Sequence, residues 1–154
     1  MRTSIISRRR NHQTGATLLE SLVAILIFSF GLLGLVGLQA TSIKNTAEAK
    51  YRADAAFLAN KIIGEMWADN PTSLASYAHL ATGSTCPPGG TASGNAKVTT
   101  WLSNVNSSLP GAASTNQQIV VDAATKTVTV RICWQPAQEA AFSKFETVAQ
   151  ILGN

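Results

Sequence analysis

Charged and apolar positions divide this chain into unlike parts. From Ser21 to Ile43 no residue is charged: SLVAILIFSFGLLGLVGLQATSI is a run of 23 residues. At a helical rise of about 1.5 Å per residue it reaches roughly 34 Å, enough to cross the hydrocarbon core of a bilayer. A helix apolar on every side cannot be buried in so small a soluble domain, so the run predicts a membrane span. From Lys44 the pattern changes. Ala47, Tyr51, Ala55, Leu58, Ile62 and Met66 recur at helical steps, Phe57, Ile63 and Trp67 widen that face, and Lys50, Asp54, Lys61 and Glu65 fall opposite. An amphipathic helix therefore continues the span. Asn70-Pro71 stops it, because the residue before proline is pushed out of the helical region. One helix is predicted from about Thr17 to Asp69.

Beyond Pro71 the periods shorten. Thr72–Ala96, rich in Ser, Thr, Gly and Pro, reads as a loop. Val98, Trp101, Leu102, Val105 and Leu109 have helical spacing and are halted by Pro110-Gly111, which predicts a short helix over Val98–Leu109. Gln118–Asp122 and Thr127–Trp134 read as strands around the turn Asp122–Lys126, and Glu146–Leu152 as a weaker third. Val128, Val130 and Ile132 alternate with Thr127, Thr129, Arg131 and Cys133, the period of a half-buried strand. The economical assembly is α+β: an antiparallel sheet laid over the second half of the long helix, a lollipop whose stick is the greasy first half.

Composition sharpens this picture. Of the 154 residues, 45% are apolar and 13% charged, which excludes a disordered charged tail. The net charge of +4 suggests a nucleic-acid binder until the charges are located. Arg2, Arg8, Arg9 and Arg10 lie ahead of the span with no acid among them, and the eight remaining Lys and Arg match the eight Asp and Glu. A neutral body has no overall attraction for phosphate backbones, so no nucleic-acid partner is expected. Arginines ahead of the span keep the N-terminus cytoplasmic and send the rest across the membrane. A secretory signal peptide fits poorly: the apolar run is too long and no small-x-small cleavage site follows it.

Two residues near the span are unusual. Gly15 precedes the apolar stretch, and Glu20 places a lone carboxylate at its entrance, where an acid is costly unless it stays in the headgroup layer or finds a partner. The string G-A-T-L-L-E, Gly15 to Glu20, followed by the apolar run resembles the signal of type IV prepilins. That resemblance implies a basic leader, residues 1–15, cut after Gly15 by prepilin peptidase, and methylation of the freed Ala16 amine. It also implies a role for Glu20 in subunit assembly. Ala16 departs from the usual Phe. Leu18–Gln39 is similar to the PilV group of minor pilins, as are Ala56–Pro71, Trp101–Gly111 and Val128–Trp134. The implied organisation is a leader (1–15), an assembly span (16–43), an amphipathic half-helix (44–70) and a periplasmic head (71–154). The implied partners are prepilin peptidase and other major and minor pilins met through the N-terminal helix, with the inner membrane as the station before the cell surface. A pseudopilin of a type II secretion system shares the signal and stands as the alternative.

Gly31, Gly34 and Gly37 each weaken a helix by about 0.8–1.0 kcal/mol relative to Ala. They fit either close packing of membrane helices or a segment that stretches when helices bundle. Cys86 and Cys133 lie on the translocated side, where an even number suggests one disulfide; two buried free thiols are the other reading. Catalysis finds no support. His12 lies in the leader, His79 reads as a solvated loop residue, no Cys or His cluster has metal-ligand spacing, and no cofactor is expected. Trp67, Trp101 and Trp134 read as core rather than as stacking platforms. Two classes of function compete: a structural subunit that enters a filament, and a tethered binding or adhesion module whose helix is only an anchor. A plain anchor needs neither Gly15 nor Glu20.

Overall fold

The computed structural model describes Thr14–Leu152, with side chains from Gly15 onward. Helix α1 spans Thr14–Ala68, and a 3-10 helix follows at Pro71–Tyr77. Helix α2 spans Ala96–Ser108, a short 3-10 turn lies at Ser114–Asn116, and strands β1 (Gln118–Asp122), β2 (Thr127–Trp134) and β3 (Ser143–Gln150) complete the order. The chain divides into two compact units, Met1–Thr46 and Ala47–Asn154.

Among the described residues the first unit is helix alone. The second is α+β, and its boundaries have local causes. Asn70 leaves the helical region at ψ 130°, and its side chain accepts from the Thr72 N–H, which starts the 3-10 helix at Pro71. Asn95 caps α2 in the same way by accepting from the Lys97 N–H. Leu109 ends α2 in an extended conformation, and Gly111 follows at φ 64°, where an added Cβ would lie 2.1 Å from the Gln135 carbonyl oxygen. At the β1–β2 turn the Asp122 carboxylate accepts from the Ala124 and Thr125 N–H groups.

The sheet is antiparallel in the order β1-β2-β3, with Asp122 opposite Thr127 and Thr127 opposite Gln150. Val128, Val130, Ile132 and Trp134 of β2 share one core with Leu58, Ile62 and Met66 of α1 and with Val98, Trp101 and Val105 of α2. Burying each large apolar side chain contributes about 1.5–3 kcal/mol. The Trp101 indole N–H donates to the Leu58 carbonyl and ties α2 to α1.

Three expectations change. Phe57 and Trp67 are exposed rather than core, because at about 100° per residue both fall outside the arc that Leu58, Ala59, Ile62, Ile63 and Met66 turn to the core. The third strand starts at Ser143, earlier than expected. His79 is buried, not solvated: its backbone pairs with Ile119 of β1, its Nδ1 accepts from the Ser93 N–H, and its Nε2 meets the Ser114 carbonyl at 2.9 Å.

The junction of α1 and α2 is held by charge. Asp69 accepts from Lys97 Nζ at 2.8 Å and from the Tyr77 hydroxyl at 2.7 Å. These hydrogen bonds, Lys97 first, hold the Asp69 carboxyl well below the usual carboxylate range and raise the Lys97 ammonium. Burial, then Asp69, pushes the Tyr77 phenol up. A lowered carboxyl stabilises the fold fully above the unfolded carboxylate value of about 3.9, and that contribution is lost as pH falls below it. Asp69→Asn is therefore expected to lower the melting temperature at neutral pH and to flatten its decline below about pH 4. Some acid sensitivity should persist through Asp122, held low by the Thr125 hydroxyl and the turn's N–H groups. Thermal melts across that range check it.

Candidate functional site

The N-terminal part of α1 is a helix without a core. Every side chain from Gly15 to Thr46 is exposed, including Leu18 at 74% and Leu33 at 68%. Among the described residues one helix, Gly15–Ala68, is long and apolar enough to cross a membrane. Its hydroxyls turn back on the helix: Ser21 donates to the Thr17 carbonyl, Ser29 to Ile25 and Thr41 to Gly37. Each is satisfied within the segment, as a lipid surrounding requires. An added Cβ at Gly31, Gly34 or Gly37 would meet nothing within 4 Å. The chain's own packing therefore does not demand these glycines.

Gly15, Ala16 and Glu20 lie exposed in the first turns of α1. Ala16 and Glu20 are four residues apart, which puts them on one face a single turn apart. The arginines Arg2 and Arg8–Arg10, and His12, lie outside the described residues.

Residues 10–36 match the family model of the prokaryotic N-terminal methylation motif. The chain thus carries the type IV prepilin signature, which supports a pilin-like substrate of prepilin peptidase. The motif points to a structural subunit rather than an enzyme and implies processing and assembly with other pilins. With the apolar helix it also indicates membrane anchoring. Comparison with curated proteins and with solved structures found no match.

In the second unit the structure joins Cys86 to Cys133, across 47 residues of chain. Cys86 lies in the loop between the 3-10 helix and α2, and Cys133 is buried in β2. Around this bond is a polar layer that the alternation of β2 did not reveal. Gln117 accepts from the Cys133 N–H and donates to the Cys133 carbonyl, at 2.9 and 3.0 Å. Gln118 Nε2 reaches the carbonyls of Leu80, Thr82 and Gly83. Its carbonyl accepts from Arg131, which is 6% exposed and pairs with Glu146 on β3 through Nε and Nη2. At Arg131 and Cys133 the second face of β2 is therefore buried, while Thr127 and Thr129 stay half-exposed. The available signal was the pair Gln117-Gln118 opening a strand, with an Arg on β2 and a Glu on the expected third strand.

Two fasteners thus hold one loop, a covalent bond and the Gln118 amide. Closing a 47-residue loop is worth about 4 kcal/mol in the chain-entropy model. Replacing both cysteines by serine is expected to lower unfolding stability by roughly that amount while leaving residues 80–91 resistant to protease in the native state. Adding Gln118→Ala should expose the same loop to nicking. Denaturant titration and limited proteolysis read the two effects separately.

Proposed function

We propose that this chain is a minor pilin of a type IV pilus, of the PilV kind. Prepilin peptidase cuts between Gly15 and Ala16, the Ala16 amine is methylated, and the subunit waits in the inner membrane with its head in the periplasm. From there it enters the filament or primes its assembly. The observation that carries this reading is the methylation motif at residues 10–36 lying over a chargeless helix that the chain itself leaves uncovered. The similarity of Leu18–Gln39 to minor pilins supports the finer assignment.

Glu20 gives the proposal a mechanism. Cleavage creates a positive amine on Ala16, one turn from the Glu20 carboxylate. When helices pack with staggered ends, the carboxylate of an incoming subunit meets the amine of the one already in place. Opposite charges 4 Å apart attract by about 4 kcal/mol at an effective dielectric near 20, so correct stagger is favoured over wrong stagger. Pairing also offsets the cost of keeping an acid beside an apolar run.

N-terminal mass spectrometry of membrane-extracted protein should find a chain beginning at methylated Ala16. A mature chain that retains Arg8–Arg10, or begins beyond Ile43, contradicts the processing step. Wild-type protein should copurify with sheared surface filaments, whereas a type II secretion pseudopilin would stay behind with the cells. Glu20→Ala should still be cut and inserted but be lost from the filaments, with methylation scored in the same samples. Recovery at the wild-type level would reduce Glu20 to a headgroup marker.

A further inference from the structure

The buried ring of His79 engages both of its nitrogens, and only one protonation state suits both partners. His79 is 3% exposed. Its backbone exchanges two hydrogen bonds with Ile119 of β1, each at 2.9 Å. Nε2 faces the Ser114 carbonyl at 2.9 Å; a carbonyl only accepts, so Nε2 carries the ring proton. Nδ1 faces the Ser93 N–H at 3.1 Å; an N–H only donates, so Nδ1 presents its lone pair. The neutral imidazole satisfies both. The imidazolium, a donor at both nitrogens, sets N–H against N–H at Ser93.

A second proton leaves the two backbone bonds and the Ser114 bond intact and removes only the contact to Ser93. That residue lies where the chain enters α2. Its hydroxyl donates to the Ser76 carbonyl and accepts from the Asn95 N–H. The Asn95 side chain donates to the Ser76 hydroxyl and caps α2 by accepting from the Lys97 N–H. Thr91–Asn95 is thus a strap between α2 and the hairpin that Leu80 closes by donating to the Thr91 carbonyl. The hairpin has fasteners of its own, the Gln118 amide and the disulfide, and neither titrates.

No charged group stands ready to take the extra N–H. Residues 78–96 and 109–118 contain no Asp, Glu, Lys or Arg. The charged and titratable groups on the neighbouring elements are already engaged. Asp69 of the α1 end holds Lys97 of α2 and Tyr77 of the 3-10 helix. Arg131 of β2 holds Gln118 and Glu146, and Asp122 of β1 accepts from its own turn.

We propose that His79 is a proton-operated latch: a second proton on its ring releases the Thr91–Asn95 strap and loosens the α2 cap, while β1 and the disulfide-bonded hairpin stay in place. The neutral ring supplies the latch's hold, which is lost as pH falls through the ring's titration. The latch stands apart from the reading of the chain as a minor pilin. On that reading the head lies outside the cytoplasm, and the strap answers to the acidity there.

NMR of the isotope-labelled full chain, extracted in detergent, tests this, with His12→Gln used to identify the His79 signals. On the alkaline side the ring nitrogens should show a proton on Nε2 alone; a proton on Nδ1 instead overturns the latch. Amide exchange, corrected for its intrinsic pH dependence, is then read on both sides of the pH at which the His79 ring gains its second proton. Protection of the Ser93 and Lys97 amides should fall at least about tenfold in the protonated state, with the amides of Ile119 and Cys133 unchanged. Unchanged protection at Ser93, or equal loss at all four, overturns the proposal. His79→Asn keeps a carbonyl for Ser93 and does not titrate, so its Ser93 protection should be the same on both sides; a persistent fall contradicts the latch. Should that variant fail to fold, the wild-type comparison decides alone.

Discussion

The constraint on which the rest depends is the uncovered apolar surface of α1. Between Ser21 and Ile43 the helix has no charge, Ser21, Ser29 and Thr41 return their hydroxyls to its own carbonyls, and every side chain is exposed among the described residues. Water cannot be the permanent neighbour of such a surface, because the cost rises with every apolar side chain left wet. Two surroundings satisfy it: lipid hydrocarbon, or other helices of the same character. The methylation motif over residues 10–36 fits the proposed passage from the first to the second. Glycines that the chain's own packing does not require fit the same passage, since they loosen the helix and let neighbours approach closely.

The second unit answers a different demand. Its sheet has three strands, and only one face of it meets a helix. Around Cys133 the other face of β2 would be wet were it not for the loop that carries Cys86. The disulfide, the Gln118 amide and the Arg131–Glu146 pair hold that loop and the outer strand to β2. A buried guanidinium is tolerable because each of its engaged nitrogens has an acceptor. The Asp69–Lys97–Tyr77 cluster does comparable work at the other end, where α1 gives way to α2.

What the sequence made legible was whatever has a period or a punctuation mark. The chargeless run, the stop at Asn70-Pro71, strands Gln118–Asp122 and Thr127–Trp134, and the turn between them need only local spacing to be read. Burial set by distant chain was not legible in the same way. His79 looked solvated because its partners, Ser93, Ser114 and Ile119, are far away in sequence. Arg131 and Cys133 looked half-exposed because nothing local announces that a loop will cover them. Phe57 and Trp67 looked buried because hydrophobicity was read as position, whereas one residue of helix turns a side chain by about 100°. Gly15, Ala16 and Glu20 were legible as a motif, and their roles rest on chemistry that a single chain does not display.

The central claim is that the chargeless helix exchanges lipid for protein. It is measured most directly by placing a photoreactive leucine analogue at position 33, in the middle of the run. The full chain is then irradiated in two preparations: membranes from cells lacking prepilin peptidase, and sheared filaments from wild-type cells. The expected result is lipid adducts in the first and adducts with the N-terminal helices of other pilins in the second. Protein adducts absent from filaments that contain the chain, or lipid adducts alone in both preparations, would contradict it.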